Sequence, residues 1–290
     1  MPIIKTVGIV SKPNSPAAGE IVPKLIEWLH ERDIGIRLDE HTALYAGGPD
    51  GRYVGMAREE VPEGCDLIIV LGGDGTLLSA ARAIGRRETP LFPVNLGGLG
   101  FLTAITVDEL YPELQRAFRG EHRIAKRKLL NTEVVRDGKV VAAYDALNDA
   151  VVTKSAIARM IDLDTHVDEQ FVCAYKADGL IISTPTGSTA YSLSAGGPII
   201  FPSVPAICIT PICPHMLTNR PVIVPETSVI RVLSHGPDSV FLTIDGQVGT
   251  PIQEGDTLVC RSSHFSLHLI RPPRMMFFDV LRLKLKWGER

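Results

Sequence analysis

The chain has 290 residues, of which 45% are hydrophobic and 22% are charged, a composition typical of a globular protein with one large domain or two ordinary ones. The formal net charge of −3 argues against a nucleic-acid-binding protein, and no apolar run reaches the length that spans a membrane. The five cysteines are few, odd in number and scattered, and the first residues enter a strand pattern without a signal peptide, so we expect a cytoplasmic protein with reduced thiols.

Strands and helices alternate in the first part of the chain. The pattern predicts strands at residues 5–11, 34–38, 67–71 and 90–95, and helices at residues 16–31, 77–84 and 107–118. Such alternation favours a parallel, doubly wound sheet. Residues 39–62 have no clear period and contain Gly47-Gly48-Pro49-Asp50-Gly51, which indicates a flexible excursion, such as a lid.

A glycine-rich loop, Gly72-Gly73-Asp74-Gly75-Thr76, lies between the predicted strand at 67–71 and the helix that follows. Open α/β sheets bind ligands at this end of their strands. The glycines allow close approach of a ligand, and N–H groups at Gly72 and Gly73 can hold phosphate oxygens. A carboxylate repels phosphate, but Asp74 suits a base, a metal partner or a partner of a ribose hydroxyl. The alternative is a tight turn in which Asp74 only caps the helix.

A second glycine-rich turn, Gly97-Gly98-Leu99-Gly100-Phe101-Leu102, follows the next predicted strand. If both turns lie at the same edge of the sheet, Asp74 and Phe101 share one crevice.

The pattern becomes β-like after Gly120. The basic run at residues 122–128 is predicted to be a solvated linker, and residues 131–141 form a hairpin with Asp137-Gly138 at its turn. Further strands are predicted at residues 144–154, 161–167, 171–175, 179–184, 207–212, 221–224, 228–233, 240–244, 257–261 and 266–270. Many short strands with few helices indicate an all-β second domain. Residues 277–286 are amphipathic and are predicted to form a helix that packs on the first domain.

Three stretches of the second half are rich in polar residues. Asn148-Asp149 interrupts an apolar strand, where buried polar side chains need partners such as an adenosine or a ribose; a bulge or turn is the alternative. The hydroxyl-rich run at residues 183–194 can present amides and hydroxyls to a nucleotide, or can be a polar loop before a short helix at 189–195. Asp245-Gly246-Gln247 is typical of a plain hairpin turn. Signatures of P-loop enzymes, zinc proteases, α/β-hydrolases and protein kinases are absent.

Taken together and in this order, these stretches resemble the NAD kinase family. The resemblance covers nearly the whole chain, from the loop at residues 72–76 through Asn148-Asp149, Asp178-Gly179, the run at 184–198 and Asp245-Gly246-Gln247 to the tail at 281–287. The first loop alone is shared with diacylglycerol-type lipid kinases and 6-phosphofructokinases.

The resemblance implies a Rossmann-like α/β domain at residues 1–125, an all-β NAD-binding domain at 126–271 and a C-terminal segment at 272–290, with the active site in the cleft between the domains. It implies transfer of the γ-phosphoryl group of ATP to the 2′-hydroxyl of the adenosine ribose of NAD, which gives NADP. It also implies a divalent metal ion, Mg²⁺ on general grounds, held mainly by phosphates and without a dedicated protein cage. Family members are typically homo-oligomers, so a dimer or tetramer is expected.

Residue roles follow from the same resemblance. Asp74 would accept the proton, and Gly72 and Gly73 would bind phosphates. The residues that would contact NAD are Asp74, Gly75, Phe101, Asn148, Asp149, Arg159, Lys176, Asp178, Thr189, Ala190, Tyr191, Ser192, Leu193, Ser194 and Gln247. The family usually has glutamate where this chain has Asp149, whose side chain is one methylene shorter. A kinase for a lipid or sugar phosphate and a non-catalytic nucleotide-binding regulator are the other two hypotheses.

Overall fold

The computed structural model describes residues 4–47, 53–154, 160–235, 240–272 and 275–287. The chain forms two compact units. Unit 1 contains Met1–Lys126 and Leu267–Arg290, and unit 2 contains Arg127–Ser266. Within the described ranges, no helix has both the length and the apolar character needed to cross a lipid bilayer.

Unit 1 is an α/β unit in which strands β1 to β5 pair in parallel. Its first elements are β1 (Thr6–Ser11), α1 (Pro16–His30), β2 (Gly35–Leu38), α2 (Glu40–Ala43), β3 (Leu67–Leu71), α3 (Asp74–Ile84), β4 (Leu91–Asn95), β5 (Ile105–Thr106) and α4 (Leu110–Phe118). The strand order is β2-β1-β3-β4, with β5 beside β4. Every residue of β3 and β4 is buried, which explains their continuous apolar sequence. Because β3 and β4 are parallel, the loops that follow them leave the sheet at the same edge.

Unit 2 consists of antiparallel strands. Its elements are β6 (Arg123–Arg136), β7 (Lys139–Ala146), β8 (Asp149–Lys154), β9 (Ile161–Val167), β10 (Gln170–Ala177), β11 (Gly179–Ser183), α5 (Tyr191–Ser194), β12 (Ala206–Ile212), β13 (Val222–Pro225), β14 (Ile230–His235), β15 (Val240–Ile244), β16 (Val248–Ile252) and β17 (Thr257–Arg271). One sheet has the order β13-β12-β11-β8-β15-β16. In the other, β10, β9, β14 and β17 are consecutive, and β6 pairs with β17 and β7.

The main cluster of buried apolar residues in unit 2 draws on both sheets and includes Leu163 of β9, Val232 of β14, Leu180 of β11 and Leu242 of β15. Strand β6 begins in unit 1, and strand β17 ends there. The last part of β17 belongs to unit 1, where Leu269 pairs in parallel with Leu91 of β4. Helix α6 (Phe277–Leu285) follows in unit 1.

A parallel α/β unit followed by an antiparallel β unit confirms the predicted fold class. The predicted helix at 277–286 and the Asp137-Gly138 hairpin are also present; both turn residues have positive φ, as a two-residue hairpin turn requires.

Several local predictions were wrong. The basic run at 122–128 joins the two units as a linker would, but it is a strand rather than an irregular segment, because β6 begins at Arg123. The region predicted to be irregular contains α2, whose N-cap Asp39 accepts a hydrogen bond from the backbone of Thr42; the middle of the proposed excursion, residues 48–52, lies outside the described ranges. The strands predicted at 257–261 and 266–270 are one strand, β17. Strand β16 was missed.

Candidate active site

Asp74 is the first residue of α3, immediately after the N-cap residue Gly73. Its side chain does not cap the helix, so the capping alternative is wrong. The carboxylate is instead bound by the glycine-rich turn that follows β4. The predicted proximity of Asp74 and Phe101 is present, because the backbone N–H of Phe101 donates to Asp74 Oδ2 at 2.9 Å.

The two oxygens of Asp74 differ in their partners. Oδ1 accepts three hydrogen bonds, from the backbone N–H groups of Leu102 and Thr103, both at 3.1 Å, and from Thr103 Oγ1 at 3.0 Å. Oδ2 accepts only the bond from Phe101 among the described residues. A carboxylate oxygen offers about two lone-pair positions, so Oδ2 keeps capacity for one more donor.

Glycine is required at position 100 by the closeness of this turn to Asp74. A Cβ atom on Gly100 would lie 2.1 Å from Asp74 Oδ1 and 2.3 Å from Thr103 Oγ1. The turn is held from the sheet side by Asn95, whose Nδ2 donates to the carbonyl of Gly98 at 2.8 Å and to Thr103 Oγ1 at 2.9 Å. Asn95, Thr103 and Asp74 thus form a continuous hydrogen-bond chain that fixes the carboxylate.

Phe101 itself is half-buried, and the Nζ of Lys284 in α6 lies 5.8 Å from the centroid of its ring. Gly72 and Gly73 follow β3 directly, but the backbone N–H of Gly72 donates to the carbonyl of Val94 at 2.9 Å, so this amide does not have the predicted phosphate-binding role. Gly72 is buried and packs on Thr76, whose Oγ1 would be 2.3 Å from a Cβ at that position. Gly73 and Gly75 have open space where a Cβ would be.

Unit 2 contains a second polar cluster. Asp245, at the turn between β15 and β16, accepts hydrogen bonds from the backbone N–H groups of Leu147 at 2.9 Å, Asn148 at 2.7 Å and Asp149 at 3.1 Å. The plain hairpin turn predicted at Asp245-Gly246 is present, since both residues have positive φ. Its aspartate also fixes the segment that interrupts the strand at Asn148.

Asp149 has a buried carboxyl group, with 4% of the residue exposed. No hydrogen-bond donor contacts this group among the described residues, and the negative charge of Asp245 is close to it. Burial is the main cause that raises the pKa of Asp149 from 3.8 to about 7, and Asp245 adds to it. A buried carboxyl group without a protein partner has the capacity to bind a polar ligand group such as a hydroxyl.

The hydroxyl-rich run lies directly against this segment. Thr184 Oγ1 donates to the carbonyl of Leu147 at 2.6 Å, and the backbone N–H of Thr184 donates to the carbonyl of Asn148 at 2.9 Å. Gly187 packs so closely that a Cβ there would lie 2.0 Å from the carbonyl oxygen of Asn148. The structure therefore brings together the three polar stretches singled out in the second half of the sequence.

The remaining predicted site residues of unit 2 are more dispersed. After a 3₁₀ turn at Gly187–Thr189, Tyr191–Ser194 form α5; Thr189 is half-buried and Tyr191 is exposed. Asp178 forms an ion pair with Lys154 at 2.6 Å, whereas Lys176 pairs with Asp162 at 3.6 Å on the exposed sheet surface. Gln247 is exposed at the β15–β16 turn. Arg159 lies outside the described residues.

Sequence reasoning missed Thr103 and Asn95, and gave Asp245 no role beyond its turn. Thr103 follows the second glycine-rich turn directly, so a hydroxyl at the end of that turn was the available signal. Asp245 gave no such signal, because its partners are 96 to 98 positions away in the chain.

Comparison with known proteins identifies the family. The model of the ATP-NAD kinase N-terminal domain matches residues 7–122, and that of the C-terminal domain matches residues 147–272. An NAD kinase of Solibacter usitatus is 81% identical over the full length of both chains, and one of Koribacter versatilis is 49% identical over 99% of this chain and 100% of its own. The chain belongs to the NAD kinase family.

Solved structures agree with this membership. A yeast NADH kinase complexed with NADH superposes with a TM-score of 0.92 at 26% identity, covering 100% of this chain and 89% of the yeast chain. An NAD kinase from Archaeoglobus fulgidus in complex with ATP gives a TM-score of 0.75 at 25% identity, covering 95% and 98%. Membership in the NAD kinase family confirms the predicted enzyme class, a phosphotransferase, and the predicted activity, phosphorylation of NAD by ATP.

Proposed function

We propose that this NAD kinase phosphorylates the 2′-hydroxyl of the adenosine ribose of NAD and that Asp74 is its general base. The observation that carries the proposal is the unequal use of the two oxygens of Asp74. Among the residues that the structure describes, three donor groups hold Oδ1, while Oδ2 has one partner and keeps the capacity to accept a hydroxyl proton. A secondary hydroxyl is a poor nucleophile, and a carboxylate at hydrogen-bond distance orients it and accepts its proton as the P–O bond forms.

The fixed position of the carboxylate is as important as its basicity. Phosphoryl transfer depends mainly on positioning and on electrostatic stabilisation. Four donors within the described ranges hold the carboxylate of Asp74, so it loses little conformational freedom when the hydroxyl binds. Gly73 and Gly75 have open space where a Cβ atom would lie, so phosphate oxygens can approach the N-terminus of α3 closely there.

We also propose a divalent metal ion, Mg²⁺, as the cofactor. Within the described ranges, no group of three or more His, Cys, Asp or Glu side chains is arranged to hold a metal. The proposed ion would therefore be bound mainly by nucleotide phosphates, which is the usual arrangement for Mg²⁺ in phosphoryl transfer. When bound, the ion neutralises charge on the transferred phosphoryl group.

In unit 2, Asn148 and Asp149 are proposed to bind the adenosine part of NAD. The support is the unpartnered, buried carboxyl group of Asp149 and the rigid backbone around it. Ribose hydroxyls would supply the donors that this carboxyl group lacks within the described residues.

A coupled assay with NAD, ATP and Mg²⁺ that detects NADP tests the activity, and ³¹P NMR of the product tests the position of the new phosphate. Asp74→Asn is expected to lower kcat by about 10²- to 10⁴-fold, because the amide accepts no proton, while NAD still binds and the fold is kept. Asp66→Asn is a matched control in unit 1, since Asp66 also accepts backbone hydrogen bonds, from Lys5 and Thr6. Full activity of Asp74→Asn would remove Asp74 from the base role.

We further propose a homo-oligomer, a dimer or tetramer, in the cytoplasm. Sequence resemblance to the family supports the assembly, and the five free thiols fit a reducing compartment. Light scattering coupled to size-exclusion chromatography measures the subunit number directly, and a monomer at micromolar concentration would contradict the proposal.

A further inference from the structure

Arg271 is a buried arginine whose position in unit 1 is set by strand β17. It is the last residue of that strand, and only 8% of it is exposed. Two residues earlier, Leu269 pairs with Leu91 at the start of β4, and β4 leads into the turn that binds Asp74. The strand pairing thus places the guanidinium group behind this turn.

The guanidinium group binds the two peptide groups that also bind Asp74. Nη1 of Arg271 donates to the carbonyl oxygens of Phe101 at 3.3 Å and Leu102 at 3.2 Å. The carbonyl of Phe101 shares a planar peptide group with the N–H of Leu102, and the carbonyl of Leu102 shares one with the N–H of Thr103. Both N–H groups donate to Asp74 Oδ1.

Each of these two peptide groups therefore lies between a cation and an anion. The described backbone has no cis peptide bonds, so the carbonyl and the N–H of each group point in opposite directions. Arg271 fixes the carbonyl ends and Asp74 binds the N–H ends. Rotation of either peptide group would break a charge-assisted hydrogen bond on both sides at once.

Electrostatics are consistent with this arrangement. Burial lowers the pKa of Arg271, and the nearby Asp74 carboxylate partly offsets this effect. A buried cation needs compensation from hydrogen-bond acceptors or an opposite charge, and here it has two carbonyl oxygens and, beyond them, Asp74.

We propose that Arg271 is a positioning residue for phosphoryl transfer: it holds the peptide groups of residues 101–103 so that they bind Asp74 Oδ1 and leave Oδ2 to accept the hydroxyl proton. This inference rests on the proposed role of Asp74 as general base. Arg271 itself touches neither the nucleotide nor the reacting hydroxyl in this scheme; it acts through the turn.

The test compares Arg271→Gln, Arg271→Lys and Asp74→Asn in steady-state kinetics and hydrogen–deuterium exchange. Arg271→Gln is expected to lower kcat at least 30-fold, with KM for NAD and ATP within threefold of the parent. Amide exchange in a peptide covering residues 96–104 should be at least tenfold faster. Arg271→Lys keeps the positive charge but not the planar guanidinium group, and it is expected to recover at least a third of the parent kcat without reaching the parent value.

Arg136→Gln is the control, because Arg136 is an arginine of unit 2 that holds a buried acceptor, the carboxylate of Asp256, away from Asp74 and its turn. It should lower the melting temperature without a change in kcat. If Arg271→Gln keeps the parent kcat per folded molecule, as Arg136→Gln is expected to do, the inference is overturned. Where Arg271→Gln does not accumulate as folded protein, slower turnover with faster exchange at 96–104 in Arg271→Lys supports the inference, and parent values overturn it. An active Asp74→Asn contradicts the proposed base instead, whatever the Arg271 variants do.

Discussion

The carboxylate of Asp245 accepts a hydrogen bond from the backbone N–H of Asp149 at 3.1 Å, and its negative charge acts on the buried side chain of that same residue. The bond fixes the backbone of the segment, while the charge raises the pKa of the Asp149 side chain. Two aspartates that are 96 positions apart therefore form a unit: backbone donors bind the carboxylate of Asp245, while the carboxyl group of Asp149 accepts no hydrogen bond within the described ranges.

Asp149→Asn is expected to change how stability depends on pH. The pKa of Asp149 in the folded chain is about 7, above its ordinary value of 3.8, so this residue stabilises the fold fully below about pH 4, and this contribution is lost as pH rises towards 7. Asparagine does not ionise, so the variant does not lose stability in this way as pH rises. The variant should gain stability over the parent between pH 5 and pH 8, by up to about 4 kcal/mol at about 1.4 kcal/mol per pH unit.

Urea unfolding of the ligand-free proteins at several pH values measures this gain. Asp108→Asn serves as control, because Asp108 is exposed in a turn of unit 1 and should leave the pH dependence unchanged. Parallel stability curves for parent and Asp149→Asn would show that Asp149 is ionised in the folded chain throughout this range.

Gly100→Ala is expected to disturb Asp74 without altering any group that reacts. The new methyl group would lie 2.1 Å from Asp74 Oδ1, so the turn or the carboxylate must move. A displacement of about 1 Å in a positioned catalytic group costs about 10²-fold in rate. Gly98→Ala is the matched control in the same turn, since nothing lies within 4 Å of its added Cβ. Equal kcat values for the two variants would contradict a tightly positioned Asp74.

Asp256→Asn is expected to destabilise the fold at neutral pH. Arg136 binds both oxygens of the buried Asp256, at 2.8 and 2.7 Å, and lowers the pKa of that carboxyl group. The ion pair therefore stabilises the fold above about pH 4, and this contribution is lost as pH falls through the lowered pKa. We expect a loss of about 2 kcal/mol at pH 7 that narrows below pH 4. Urea unfolding at pH 7 and pH 3.5 measures it, and a loss independent of pH would argue against an ionised Asp256.

The loop that carries Asp74 could be predicted because its signals are local. A fully buried strand, closely spaced glycines and a helix pattern follow one another over residues 67–84, and the structure has each of them in place. The proximity of Phe101 to Asp74 also follows from sequence order, since consecutive parallel strands send their loops to one edge.

Other parts of the site depend on contacts between distant positions, which leave no local pattern. Arg271 binds carbonyl groups 169 and 170 positions before it, and nothing in its own sequence indicates this. Strand β16 was missed because it contains Gly249 and Pro251, which strands disfavour; its pairing with β15 determines its conformation instead. Interruption of the strand at Leu147 and Asn148 likewise depends on the carboxylate of Asp245.

The division of unit 1 between two distant parts of the chain has a consequence for biosynthesis. Met1–Lys126 leave the ribosome first, whereas Leu267–Arg290 follow only after all of unit 2. Nascent chains fold progressively from the N-terminus. Strand β4 must therefore wait for Leu269, and the turn around Asp74 must wait for Arg271, until unit 2 has been translated. A nascent chain that already contains the glycine-rich loops thus still lacks the arginine that binds the second of them.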